Sequence, residues 1–522
     1  MTAISSLSQD PLSQEVARLM ALLSQKEQLI ASLQHQLHLF RTARFGRKSE
    51  KGVVPEQMSF HFNEAEPLVE SKQEEAPSES QTITYMRTKN KTGRKPLPQS
   101  LPYVEQIHDL PEEEKHCACG CALTHIRDEI TEQLDVVPQM TFRVVHIRKQ
   151  YACKGCEDTM KRASMPKQPI PRSIATPGLI AAVINSKFRC HMPLYRQEEM
   201  FHAAGVPLTR GTLGDWVIKA AHLLTPLVKL MEDTIQCYDI AYADETTLQV
   251  LKEKGRAPTR KSYMWLFAGG PPDKRAFVYQ YHPTRAHQIP AQFFAEFEGY
   301  VHADCYEAYV SLGLKPSIQH VACWAHMRRY FVDVVKSTKK TGLAHQVVAL
   351  IAQLYHLEAQ LKENHATPAT VFAARGQKAK PIVVALKARL DEASSKVPPK
   401  SALGKAVFYA LNHWEALITY LDDGRLDIDN NLSERAIKPF VIGRKNWLFS
   451  GNEDGAHAGA ILFSLIETCK HHQIDVFSWL KYTLTHIHNA HTLEQLEALL
   501  PYNIDNKLLD SMRNLPHLIV PA

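Results

Sequence analysis

Apolar residues at Leu12, Val16, Leu19, Leu23, Ile30, Leu33, Leu37 and Phe40 recur in alternating steps of four and three, with Lys26 filling one seam position. A heptad sustained over about four repeats predicts a short coiled coil; the alternative is an amphipathic helix packed on its own chain. From Pro55 to Ser80 the periodicity vanishes in a stretch rich in Glu, Pro, Ser and Gln, the pattern of a flexible acidic linker. Between Thr176 and Glu232 a helical stripe returns. Within it, "LYRQEEMFHAAGVPLTRGTLGDWVIKA" reads as a helix, a turn at Gly205, an N-cap at Thr209 or Thr212, and a second helix ending near Ala220. That is either a helix-turn-helix or a plain helical hairpin.

Then the period changes from helical to alternating. "YDIAYADETTLQVL", "SYMWLFAGG" and "AFVYQYHP" are successive strand patterns separated by turn residues. "AHQIPAQFFAEF" predicts a short helix, "GYVHADCYEAYV" a strand running into a helix, and "IQHVACWAHMRRYFVDVV" a further strand and helix. This order describes a mixed sheet flanked by helices. From about Lys336 to Tyr420 only helical patterns follow, which predicts an all-helical insertion, and "AILFSLIETCKHHQIDVFSWLKYTLTHI" is helical again.

The chain has 522 residues, too many for one ordinary core, and about three to four units are expected. A hydrophobic content of 44% with 22% charged residues is that of a globular protein in water, and 61 Lys and Arg against 55 Asp and Glu leave a net +6, which permits nucleic-acid binding without requiring it. No apolar run of about 18 residues appears, and the start, "MTAISSLSQDPLSQEVARL", lacks a basic region followed by an apolar core. The expectation is a cytoplasmic, nucleoid-associated protein with no membrane partner. Five of the ten cysteines lie in "HCACGCAL" and "YACKGC". Paired thiolate knuckles about thirty residues apart can close a tetrahedral structural Zn2+ site. Cys153 and Cys156 have the expected spacing; two of Cys117, Cys119 and Cys121 complete the set, with His116 a further candidate.

Three acidic residues stand out. Asp244 and Asp304 lie in or at the end of apolar strand patterns, where a carboxylate is costly unless a cation or hydrogen bonds compensate. Glu434 lies in "LDIDNNLSERAIKPFVIGRKNWLFSG", whose Arg435, Lys438, Arg444, Lys445 and Trp447 suit a polyanion. The other reading of Glu434 is an exposed helix glutamate paired with Lys438. Glu245 adjoins Asp244, but neighbours on a strand point to opposite faces, so only one of them faces a shared site. Asp427 and Asp429 are candidate caps for a helix beginning near Asn431. Basic clusters that could touch DNA phosphates contain Arg47 and Lys48, and Arg94 and Lys95; Arg210, Arg328 and Arg329 are further candidates, while His326 reads as an ordinary packed histidine.

The segments "YADETTLQVL", "GYVHADCYEAY", "CWAHMRRYF" and "DNNLSERAIKPFVIGRKNWLFSG", in this order, resemble the transposases of the IS66 family of bacterial insertion sequences. The likeness extends to "ARFGRKSEK", "GRKPLP", the cysteine knuckles and "IETCKHHQIDVFSWL", and so covers nearly the whole chain. One departure is the first knuckle, "CACGC", where the family usually has Cys-x-x-Cys. The resemblance implies a multidomain α+β protein with a ribonuclease H-like catalytic core. The organisation expected is a coiled-coil helix and basic segment over 1–50, an acidic linker over 51–90, a zinc-binding module over 91–165 and a helical, helix-turn-helix-like region over 166–232. The catalytic domain would span 233–460, with the insertion at about 336–420, and a C-terminal helical region 461–522. It further implies an enzyme of the DDE type, with Asp244, Asp304 and Glu434 as catalytic residues holding two Mg2+ ions for DNA cleavage and 3′-OH strand transfer. Its partners would be double-stranded DNA (terminal inverted repeats and target), further copies of itself, and small accessory proteins of the same element. The competing functions are a non-catalytic zinc and helix-turn-helix DNA-binding regulator, and a nuclease of the same fold without strand transfer.

Overall fold

The structure is a computed structural model, and it describes residues 141–147, 150–152, 160–162, 165–338 and 341–513. By contacts the chain divides into a unit of residues 60–163 and a larger unit formed by the rest. In the smaller unit, β1 (Gln150–Ala152) and β2 (Met160–Arg162) form an antiparallel pair, with Gln150 opposite Arg162. The expected coiled coil, the basic segments with Arg47, Lys48, Arg94 and Lys95, and the cysteines Cys117, Cys119, Cys121, Cys153 and Cys156 all lie outside the described residues.

The larger unit begins with α1 (Pro177–Ile184), started by Thr176, whose hydroxyl accepts from Leu179 N at 3.2 Å. It runs directly into a π-helical turn, Asn185–Arg189. Then come α2 (Leu194–Ala203) and α3 (Arg210–Gln236), joined through Gly205 at φ +76°, a backbone conformation that glycine adopts without strain. Thr209, not Thr212, caps α3, accepting from Thr212 N at 3.3 Å. The end expected near Ala220 is corrected: α3 runs on to Gln236, 27 residues in all. Its apolar stripe runs unbroken through Leu213, Trp216, Ala220, Leu224, Leu227, Met231 and Ile235, all buried, and no glycine or proline intervenes at 220.

The strands follow as β3 (Ile240–Lys252), β4 (Lys261–Gly269) and β5 (Ala276–His282), then α4 (Gln288–Phe293), β6 (Gly299–Ala303), α5 (Glu307–Leu312), β7 (Ile318–Ala322) and α6 (Trp324–Ser337). The sheet order is β5-β4-β3-β6-β7, antiparallel across β5-β4-β3 and parallel across β3-β6-β7. The parallel half has buried central strands because helices cross over its faces. Gly299 opens β6 at φ +134°, and a Cβ there would collide with Asp239 O, so only glycine lets β6 approach the start of β3 this closely.

A helical segment comes next: α7 (Leu343–Glu363), α8 (Pro368–Ala374), a π-helical turn at Arg375–Ala379, α9 (Lys380–Ser394), α10 (Ala402–Asn412) and α11 (Trp414–Ile418). Arg375 ties it together. This guanidinium, 2% exposed, pairs with Glu358 on α7 at 2.8 Å and donates to the carbonyls of Tyr420, Asp423 and Leu426 at 2.7–2.9 Å. The chain then returns as α12 (Asn431–Trp447), β8 (Ser450–Asn452), which pairs with the far end of β3, and α13 (Glu453–His471), followed by α14 (Val476–His486), α15 (Leu493–Glu497) and α16 (Asn506–Arg513). Strand β5 is one edge of the sheet, and α13 covers it: Ser464 Oγ accepts from Tyr279 N at 2.7 Å and Thr468 Oγ1 from Phe277 N at 3.1 Å. Helix hydroxyls thereby satisfy N–H groups that would otherwise template a further strand.

Candidate active site

Parallel pairing sets Ile240, Ala241 and Tyr242 of β3 against Tyr300, Val301 and His302 of β6. Carried two residues further, this register places Asp244 beside Asp304, which lies one residue past the end of β6. Local hydrogen bonds fix both. Asp244 Oδ1 accepts from Glu245 N at 2.8 Å and Asp304 Oδ1 from Tyr306 N at 3.0 Å, while the Asp304 carbonyl sits 3.1 Å from His320 Nε2.

Glu434 arrives in the first turn of α12, and the segment before it is clamped on two sides. Trp324 N at the head of α6 donates to Ile428 O at 3.3 Å. Asn430, 1% exposed, donates its amide to Ala243 O at 2.9 Å and its backbone N–H to Cys323 Sγ at 3.2 Å. The residue before Asp244 is thus bonded to the residue before α12, and two stretches far apart in sequence become one site. Asp429 is not the cap, since the N-cap position falls on Asn430, but its carboxylate accepts from Asn431 N at the helix start at 3.1 Å. Asp427 is not a cap either: it accepts from the Tyr242 hydroxyl at 2.6 Å, because the chain meets β3 there before the helix begins.

Asp244 senses the other two carboxylates. The Asp244 carboxyl is pushed well above its ordinary range, first by burial and then by the charge of Glu245, with the charges of Glu434 and Asp304 adding to it. Glu245 turns to other partners, as strand alternation requires: Arg285 Nε at 2.7 Å and the Tyr309 hydroxyl at 2.5 Å. Glu434 is not paired with Lys438. Arg329 Nη2 lies 3.0 Å from its Oε2, and on the other oxygen His326 Nδ1 and Cys323 Sγ stand at 3.5 and 3.9 Å. His326 is therefore more than a packed core residue. Cys323 was not singled out by the sequence; its signal was a Cys-x-x-His at a strand-to-helix junction, facing a distant glutamate.

Of the basic candidates, Arg435 and Lys445 are exposed on α12 and Lys438 is half-buried. Arg444 turns inward, with Nη1 2.8 Å from Thr247 Oγ1, so it binds α12 to β3. Arg328 is half-buried and Arg329 exposed on α6; Arg210 is exposed at the start of α3. Among the described residues no helix is long and apolar enough to cross a membrane.

Comparison with known families places the chain. Residues 172–458, which carry all three carboxylates, match the model described as "Transposase IS66 family". The chain belongs to the IS66 transposase family. Other parts of the IS66 protein are matched in turn: residues 464–502 the IS66 C-terminal element, 114–157 the zinc-finger binding domain of transposase IS66, and 32–105 "Transposase C of IS166 homeodomain". Similar proteins of Sinorhizobium fredii share most of the length. The uncharacterized protein y4jD is 32% identical over 95% of this chain and 98% of its own, and the uncharacterized protein y4qI is 32% identical over 94% and 92%.

For a hard divalent ion the donor set of this IS66 protein is suitable. Asp244 is desolvated beside like charges with only a backbone N–H opposing them, and a cation would remove that cost.

Proposed function

We propose that this protein is a DNA transposase of the DDE type, with Asp244, Asp304 and Glu434 as its catalytic carboxylates. The observation that carries the reading is the register match of Asp244 with Asp304, closed by the Asn430 bridge that brings Glu434 to them. The sheet order, with three antiparallel strands followed by two parallel ones, supports a ribonuclease H-like core. On this reading the helical segment between α6 and α12 is an insertion, and Arg375 holds its return path so that α12 starts beside β3.

The three carboxylates would hold two Mg2+ ions, which when bound activate an attacking oxygen and stabilise a leaving one at phosphorus. The protein's own part is placement. Asp244 feels the charges of both other carboxylates, Asp304 is locked by its turn, and Glu434 follows the clamped segment preceding α12. Water would be the first nucleophile, at a transposon end, and the freed 3′-hydroxyl the second, at target DNA. Arg435, Lys438 and Lys445 lie on α12 and Arg328 and Arg329 on α6, where they could bind the phosphate backbone, with Arg210 a further contact on α3. Cys153, Cys156 and two of Cys117, Cys119 and Cys121 would hold the structural Zn2+ of the zinc-finger region.

The test supplies the full chain with Mg2+ and labelled duplexes carrying the inverted repeats that bracket its gene. Wild type should nick the ends and join them to a target plasmid, and Asp244→Asn should do neither. Binding without nicking would favour a regulator, nicking without joining a nuclease, and activity in Asp244→Asn would refute the assignment of the site.

A further inference from the structure

Among the described residues, one group of three metal-ligating side chains has its ligand atoms within 4.8 Å of one another, and it is Cys323, His326 and Glu434 rather than the three carboxylates. Thiolate, imidazole and carboxylate are the donors that zinc takes and that magnesium, which demands oxygen ligands, does not. Around a tetrahedral zinc the ligand atoms would lie roughly 3.3–3.6 Å apart. Here Glu434 Oε1 is 3.5 Å from His326 Nδ1 and 3.9 Å from Cys323 Sγ, so small side-chain shifts close the set.

Two features single this group out from chance proximity. Cys323 occupies the N-cap position of the 14-residue α6 and its sulfur accepts the Asn430 N–H; burial and the charges of Glu434 and Asp429 push its thiol well above the ordinary value, so its proton would leave only as a cation binds. His326 Nδ1 is buried and lacks a hydrogen-bond partner. We propose that Cys323, His326 and Glu434 form a binding site for a thiophilic divalent ion of the zinc class, and that filling it inhibits the enzyme by withdrawing Glu434 from Asp244 and Asp304. Only the inhibitory step rests on the DDE reading.

Binding has a defined proton balance. The Cys323 S–H proton leaves to water as the sulfur–metal bond forms. Arg329 Nη1 lies 3.2 Å from His326 Nε2, and an arginine only donates, so Nε2 accepts there and the ring proton sits on Nδ1. Coordination through Nδ1 moves that proton to Nε2, and Arg329 must release the ring. Its contact with Glu434 Oε2 can persist.

The experiment uses the full chain as wild type, Cys323→Ser, His326→Gln and Asp244→Asn, each equilibrated with buffered Zn2+ and assayed for metal per chain. The zinc-finger region is common to all four. Wild type and Asp244→Asn should hold one ion more than Cys323→Ser and His326→Gln, and Co2+ loading should show a thiolate charge-transfer band that Cys323→Ser loses in part. Cys323 is buried and its serine variant could fail to fold; His326, with a side chain 26% exposed, gives the independent variant. In the presence of Mg2+, micromolar Zn2+ should slow wild-type DNA cleavage about tenfold or more, and each ligand variant far less relative to its own zinc-free rate. Equal metal content in all four proteins overturns the site, whatever the activity. A one-ion difference without any Mg2+-dependent cleavage keeps the site and sinks the DDE reading instead. A one-ion difference with cleavage insensitive to Zn2+ overturns the inhibitory role.

Discussion

Arg329 and Glu434, 105 residues apart in the chain, meet with Nη2 3.0 Å from Oε2. A cation already occupies one face of the glutamate that would serve as the third carboxylate of the site, so any metal must share Glu434 with a guanidinium. Arg329→Gln should therefore lower the Mg2+ concentration needed for half-maximal cleavage. Because Arg329 is half-exposed and solvent screens the pair, the change should be modest, about two- to fivefold. An increase in the Mg2+ requirement would show that Arg329 helps to position Glu434 rather than competing for it.

Asp244→Asn separates stability from catalysis. The folded protein raises the Asp244 pKa by burial and by neighbouring carboxylates. Its contribution to stability is therefore fully present below the unfolded value, about 3.9, and is lost as pH rises. At pH 7.5 in chelator the asparagine variant should be more stable than wild type, on the order of 1–3 kcal/mol, and its melting temperature higher by a few degrees. Mg2+ should stabilise wild type and not the variant. An unchanged or lower melting temperature in chelator would mean that the carboxylate carries no uncompensated charge.

Asp429 gives a pH window. Burial pushes its carboxyl up to about 6, with the charges of Asp427 and Glu434 contributing. The same sign applies: wild type should lose stability as pH rises from about 4 through 6, by about 3 kcal/mol from this group, since each tenfold change in its proton affinity is worth about 1.4 kcal/mol. Urea unfolding of wild type and Asp429→Asn across this range should show the stability difference changing between pH 4 and 6 and holding constant above it. Parallel curves throughout would place the titration elsewhere.

Arg375 is the cation on which the return of the chain depends. Arg375→Met leaves Glu358 half-buried and unpaired and three carbonyls without their donor, and should cost about 3–5 kcal/mol. Arg375→Lys keeps the charge but cannot serve both Glu358 oxygens and the carbonyls in one plane, so it should fall between. Limited proteolysis should cut first between Tyr420 and Asn430 in the methionine variant, with cleavage of DNA lost in step. Normal proteolytic resistance there would remove Arg375 from the positioning of α12.

The elements were legible because their periods are strong. The alternating runs became β3 through β7 nearly residue for residue, and the helical runs between Lys336 and Tyr420 became α7 to α11. The α3 boundary was misplaced because its second half offers no start or stop signal, only a continuing stripe and Pro226, which the helix accommodates. Asp427 was misread because a capping preference is local, whereas its partner, Tyr242, is 185 residues away.

The sequence by itself determined the family and the order of the candidate carboxylates along the chain, since motif order and residue type are properties of the chain. Asp244 and Asp304 could be paired in advance, because strand order and period constrain two positions on a sheet. What only the tertiary structure decided was the company that Glu434 keeps. Asn430 bonded to Ala243, Arg329 and His326 turned on the glutamate, and Cys323 buried beneath it are contacts between segments on either side of a long helical excursion. Local sequence sets the backbone of each segment, but which side chains share one carboxylate depends on how the return path is packed, and here Arg375 holds that packing.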